Sequence, residues 1–172
     1  MLTVRPAAPA DGPALGRIDA LTWTAAVSPA PPRTEPFLQR VPVGEVLVAD
    51  DDGAVAGYAI AGPAPPAVPA HAHVWLLAGL AVHPGHAGRG AGRALVEAAT
   101  GRARAAGARK LTLRVLGGNT RARALYARCG FVEEGVLRAE FVLDGGPVDD
   151  VLMACHLAGP APGDGGTVGG RS

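Results

Sequence analysis

Chemistry concentrates in one stretch of the chain, Val82-His83-Pro84-Gly85-His86-Ala87-Gly88-Arg89-Gly90-Ala91-Gly92-Arg93. Glycines at 85, 88, 90 and 92 let the backbone pass close to a ligand and adopt conformations closed to other residues. The stretch runs straight into an amphipathic helical pattern, whose first N–H groups lack partners and favour an anion. Arg89 and Arg93 add positive charge, so a phosphate or pyrophosphate is the expected occupant. Other phosphate loops fit poorly. A Walker loop needs Gly-Lys-Ser/Thr, and no lysine stands here. A dinucleotide fingerprint needs Gly or Ala three residues after its second glycine, but Gly88-x-Gly90 leads to Arg93 and Gly90-x-Gly92 to Leu95.

Other reactive residues are scattered. His71-x-His73 and His83-x-x-His86 flank an apolar run long enough to hold the two pairs about 30 Å apart, so no metal site is expected. Tyr126 reads on its spacing alone as a half-buried helix aromatic. Cys129 and Cys155 cannot form a disulfide framework, and neither is placed as a nucleophile. They fit small buried apolar residues in a reducing compartment, so a cytoplasmic location is expected. Sixteen basic against 15 acidic residues give +1, which supplies no broad field for nucleic acid or an anionic membrane. No apolar window is long enough to span a bilayer.

These residues are positioned by an alternating run of elements within 172 residues, enough for one domain with a real core. A strand over 2–5 precedes a helix over 11–22, with Asp11 as N-cap and Leu15, Ile18, Leu21 and Trp23 as its apolar stripe. Prolines between 28 and 42 dictate a loop, with one helical turn around Phe37 to Arg40. Strands over 46–49 and 54–61 flank the hairpin signal Asp50-Asp51-Asp52-Gly53. The apolar run 74–82 predicts a strand covered on both faces, followed by the glycine turn and a helix from about 90 to 106. Next come an alternating strand over 110–116, a helix capped by Asn119 and ended by Gly130, and strands near 136–143 and 148–157 around Asp144-Gly145-Gly146. Residues 1–158 are expected to form a single domain, and the Gly/Pro-rich tail 159–172 to be disordered. The order predicts an α/β fold, a mixed sheet with helices on both faces.

Two motifs carry a resemblance. Val82-x-Pro84-x-x-x-Gly88-Arg89-Gly90-x-Gly92-x-Ala94-Leu95 resembles the acetyl-CoA signature of the GCN5-related N-acetyltransferases. Leu113-x-Val115 with Asn119-x-x-Ala122-x-x-Leu125-Tyr126-x-x-x-Gly130-Phe131 is similar to that family's second motif. The segment from Glu134-Gly135-Val136-Leu137-Arg138 to Asp149-Asp150-Val151-Leu152-Met153 resembles the branch related to ribosomal-protein N-terminal acetyltransferases.

The resemblance implies a mostly antiparallel sheet with a parallel pair at the cofactor cleft. It implies acetyl-CoA as co-substrate, and direct transfer to a primary amine of a small molecule, amino acid or protein N-terminus. Ala87, Gly88, Arg89, Gly90, Ala91, Gly92 and Arg93 would hold the pyrophosphate. Leu80, Ala81 and Val82 would pair with the pantetheine arm, which Asn119 would also touch. Tyr126 would protonate the departing thiolate.

Ala87 stands where relatives usually carry Gln or Arg, and 74–79 lacks the glutamate that many use as a base. His73, Glu140 and Asp150 are the alternative bases, unless the acceptor arrives neutral. Glu35, Phe37 and Arg40, on the proline-rich loop where relatives build their acceptor site, are candidate acceptor contacts, with Trp75 and Asp150. A non-catalytic CoA-binding module with the same fold is the rival reading, and a homodimer is compatible with either.

Overall fold

The computed structural model describes residues 1–143 and 145–157. Asp144 of the second hairpin and the tail expected over 159–172 lie outside the described residues. Seven strands form one sheet in the order β1-β2-β3-β4-β5-β7-β6. They are β1 (Leu2–Pro6), β2 (Val46–Asp51), β3 (Ala54–Pro63), β4 (Val74–Val82), β5 (Lys110–Leu116), β6 (Val132–Leu143) and β7 (Gly146–His156). Every neighbouring pair is antiparallel except β4 and β5. The helices are α1 (Gly12–Thr22), α2 (Phe37–Arg40), α3 (Ala91–Ala105) and α4 (Thr120–Arg128).

Side-chain alternation sends the two faces of the sheet into two cores. Leu47, Ala49, Leu111, Leu113 and Val115 pack under α3 and α4, with Leu95, Val96, Ala99 and Tyr126. Val46, Val48 and Tyr58 point the other way, onto Leu15 and Ile18 of α1 and Phe37 of α2. The first hairpin turns through Asp52 (φ 52°) and Gly53 (φ 86°), two left-handed residues that match the strands' twist.

Four sequence expectations change. Asp11 precedes α1 but makes no side-chain cap there. Its carboxylate instead accepts from the N–H of Ala8 (2.7 Å) and pairs with Arg5 (2.8 Å), a stronger partner than a helix amide. The apolar stripe of α1 ends at Ile18, because Leu21 faces a cleft and Trp23 lies past the helix end. The sixth strand begins at Val132 rather than near 136, since its pairing with β7 extends to Val132↔Ala154. Strand β4 is fully buried only at Val74 and Leu77, and from Ala78 onward it is exposed or half-buried where β5 no longer flanks it.

Candidate active site

That departure makes the site. Strands β4 and β5 pair only at Val74↔Lys110, Trp75↔Leu111 and Leu76↔Thr112. Both continue, to Val82 and Leu116, without pairing further. A bulge lies alongside. Ile60 pairs with Gly79 and Ala61 with Leu77, which leaves Ala78 extra in β4. The inserted residue reverses the side-chain parity, so Leu77 and Leu80 both face the α3 core while Ala81 faces the α1 core. Beyond Leu77, β4 therefore has one edge bonded to β3 and one edge of free peptide groups. Such an edge accepts an extended amide chain as an added strand.

At the end of that edge the chain turns into α3. Gly88 (φ 79°) and Gly90 (φ 88°) are left-handed, and Gly90 is the residue before the helix. Ala94 N–H is the first to bond back, to the carbonyl of Gly90. Among the described residues, no acceptor serves the N–H groups of Gly88, Gly90, Ala91, Gly92 or Arg93. Five donors on one short arc, at a helix N-terminus, are a seat for a diphosphate. A Cβ on Gly92 would come within 3.2 Å of Leu125 Cδ2, so glycine lets α4 lie against the start of α3.

Helix α4 brings two polar groups to the cleft. Asn119 caps it, its Oδ1 accepting from Ala122 N–H at 3.2 Å. That bond turns the amide nitrogen outward, where it has no partner among the described residues. Tyr126 is 8% exposed and packs against Phe131, ring centroids 5.8 Å apart. Burial, with a smaller contribution from the Cys129 thiol, pushes its phenol up to about 12, so it keeps its proton. No hydrogen bond occupies the phenol among the described residues.

The opposite, α1 side of the gap is built differently. Asp19 accepts a hydrogen bond from Tyr58 Oη (2.7 Å) through one oxygen and pairs with Arg40 Nη2 (2.7 Å) through the other. Burial and the bond to Asp19 raise the Tyr58 phenol far above its ordinary value, so it remains a donor. Across the gap Arg114 pairs with buried Asp150 and lies 3.5 Å from Glu140. A cleft of about 1040 Å³ joins both sides. Its walls include Asp19, Leu77 to Val82, the loop and first turn of α3, Arg114, Asn119, Tyr126, Phe141 and Asp150.

The structure thus brings together Leu80, Ala81, Val82, Ala87, Gly88, Gly90, Ala91, Gly92, Arg93, Asn119, Tyr126 and Asp150. Arg89 leans outward to within 3.8 Å of Asp51, and Arg93 holds Glu97 on the helix surface (2.7 Å). Glu140 reaches the cleft only through Arg114.

Four candidates fall outside. His73 precedes β4 at the end opposite the loop, seven residues from Leu80, which is roughly 20 Å of strand. It does not line the cleft. Trp75 points to the α3 side and lies under Arg102 (5.9 Å), away from the cleft. Phe37 is 2% exposed and stacks edge-on against Tyr58 at 4.7 Å, which makes it core. Glu35 is exposed on the proline-rich segment and does not line the cleft.

Asp19 and Tyr58 carry no signal in the sequence, and Arg40, an acceptor candidate on the proline-rich segment, reaches the site by holding Asp19. They lie 39 and 21 residues apart in pairs, and only the helix and strand packing joins them.

A sequence model of the acetyltransferase (GNAT) family matches residues 13–131. No curated protein matches the chain in sequence. Among solved structures, a GCN5-related N-acetyltransferase from Kribbella flavida is 30% identical, with a TM-score of 0.77 over 91% of this chain and 98% of its own. The protein yncA from Salmonella typhimurium, solved with its cofactor acetyl-CoA, is 27% identical. It has a TM-score of 0.80 over 96% of this chain and 99% of its own. A ribosomal-protein-alanine N-acetyltransferase from Brucella melitensis is 28% identical, with a TM-score of 0.74 over 90% and 99%.

Proposed function

Because the chain belongs to the acetyltransferase (GNAT) family and takes acetyl-CoA as its co-substrate, we propose that it transfers the acetyl group directly to a primary amine held on the α1 side of the β4–β5 gap. The carrying observation is the juxtaposition of a free β4 edge with five unpartnered N–H groups at the start of α3. Acetyl-CoA supplies an activated acyl group on sulfur, at the end of a long amide arm headed by a diphosphate.

Each residue has a bounded task. The N–H groups of Gly88, Gly90, Ala91, Gly92 and Arg93 bind the diphosphate, whose charge the helix end favours. The edge from Ala78 to Val82 pairs with the arm, and its N–H groups polarise the acyl oxygen. The Asn119 amide nitrogen donates to the arm. Tyr126, neutral at physiological pH, gives its proton to the departing sulfur. As the carbon–nitrogen bond forms, the carbon–sulfur bond breaks, and the nitrogen releases a proton that returns to Tyr126 by way of solvent. Ala87 contributes no side-chain contact, which leaves anion binding to the backbone. Neither cysteine enters, because Cys129 ends α4 and Cys155 lies within β7.

The test joins binding with turnover. Acetyl-CoA is expected to raise the melting temperature while ATP and NAD leave it unchanged, and free thiol is expected on adding an amine. Equal stabilisation by ATP would overturn the cofactor assignment. Stabilisation by acetyl-CoA without thiol release from any amine would establish the rival, a CoA-binding module without turnover.

A further inference from the structure

The α1 side of the cleft carries a pattern that specifies its guest. Charge comes first. Two guanidinium groups face this side, and both are already engaged. Arg40 is bound to Asp19 (2.7 Å), and Arg114 to Asp150, with Glu140 at 3.5 Å. Three carboxylates thus stand against two cations. The remaining arginines of the cleft, Arg93, Arg121 and Arg128, come from α3 and α4 on the other face. A carboxylate on the acceptor would meet two cations already paired with carboxylates, whereas an ammonium would meet the open carboxylate of Asp19. Asp150 is buried beneath Arg114 and closed to a ligand. The side chain of Asp19 is 31% exposed, and its two bonds to Tyr58 and Arg40 leave lone pairs on both oxygens.

Shape and polarity come second. Leu21 is 58% exposed and Val27 46% exposed, and both line the cleft beside Trp23 and Phe141. Large apolar side chains left open inside a concave site are surface that a ligand's apolar part would cover. Trp23 is fixed by its indole N–H donating to the Ala30 carbonyl (2.8 Å), so this wall is held in place.

We propose that the acceptor is a small apolar primary amine without a carboxylate, received as its ammonium by Asp19 and covered by Leu21, Trp23, Val27 and Phe141; the ammonium gives one proton to solvent before its nitrogen attacks, and the second leaves as the carbon–nitrogen bond forms. This rests on the acetyl-transfer reading. Asp19 is a specificity-determining residue in it, and Tyr58 and Arg40 are positioning residues that keep its carboxylate turned to the cleft.

Three amines test the proposal: 2-phenylethylamine, L-phenylalanine, which adds only a carboxylate, and ethylamine, which removes the apolar body. Thiol release from acetyl-CoA should give 2-phenylethylamine a kcat/KM at least about tenfold above each of the others. Asp19→Asn should raise the KM for 2-phenylethylamine about tenfold, with kcat and the KM for acetyl-CoA little changed. Because Asp19 also ties α1 to Tyr58, Leu21→Ser serves as a second variant on an exposed position. It should narrow the gap between 2-phenylethylamine and ethylamine. Phenylalanine or ethylamine matching 2-phenylethylamine would overturn the proposal. So would no thiol from 2-phenylethylamine while acetyl-CoA still raises the melting temperature, and that result leaves the cofactor reading standing. Absence of acetyl-CoA stabilisation would instead remove the reading on which the proposal rests.

Discussion

Two glycines with nearly the same backbone separate folding from binding. Gly90 (φ 88°) starts α3, and Gly53 (φ 86°) closes the first hairpin. A Cβ at either position meets nothing within 4 Å, so alanine costs only the left-handed conformation, about 1–2 kcal/mol. For a domain of this size that lowers the melting temperature by about 2–8 °C in both variants. Their consequences for acetyl-CoA differ. Relaxing φ at residue 90 rotates the peptides that carry the Gly90 and Ala91 N–H groups, and the new methyl enters the space in front of them. Losing one hydrogen bond to a charged group costs about 1.5–3 kcal/mol, at least a tenfold weaker complex. With ligand at ~100 times the wild-type Kd, stabilisation would drop from about 2.7 to about 1.4 kcal/mol. Differential scanning fluorimetry with and without acetyl-CoA reads both quantities. Gly90→Ala should lose about half of the ligand-induced shift or more, and Gly53→Ala none. Equal ligand shifts in the two variants would refute the backbone-donor argument.

Other consequences follow from single contacts. Tyr126→Phe should lower kcat by about 10²-fold and leave the acetyl-CoA Kd unchanged, as measured by thiol release and calorimetry. Because the phenol is pushed up to about 12, no alkaline fall in kcat below about pH 11 should trace to this residue. Phe37→Ala should destabilise by about 3–5 kcal/mol in urea unfolding, as a core deletion does. Phe37→Leu should raise the acceptor KM far less than Asp19→Asn does, because Phe37 touches the acceptor side only through Tyr58 and Arg40; an equal rise would return Phe37 to the acceptor site. Asp11 titrates below the usual carboxylate range, because Arg5 holds its charged form and Ala8 N–H adds a bond. Its contribution to stability is therefore complete above about pH 4 and lost as pH falls through the lower folded value. The urea midpoint should drop across that interval in the wild type and less steeply in Asp11→Asn.

What the sequence displays is local chemistry. Gly88 and Gly90 announce left-handed backbone before a helix, and that is how they are used. Asn119 and Gly130 mark the ends of α4 because capping is decided within a few residues. What it conceals is register. Nothing in 74–82 says that Ala78 is inserted or that β5 leaves after Leu76, since both depend on strands paired from elsewhere in the chain. His73 lies outside the cleft for a reason of simple length, since it precedes β4 at the end away from the glycine loop. Phe37 is an acceptor candidate only through the family's use of its proline-rich segment, and nothing local in the sequence shows that a single helical turn drops its ring onto Tyr58. The Asp19–Tyr58–Arg40 group is invisible in one dimension, as its members come from α1, β3 and α2.

A crystal structure with acetyl-CoA tests the central claim most directly. The diphosphate oxygens should lie within about 3.2 Å of N–H groups between Gly88 and Arg93, and the arm should hydrogen-bond to β4 between Ala78 and Val82. The sulfur should face Tyr126 Oη. A diphosphate seated elsewhere, or an arm that leaves the β4 edge unpaired, would contradict the account.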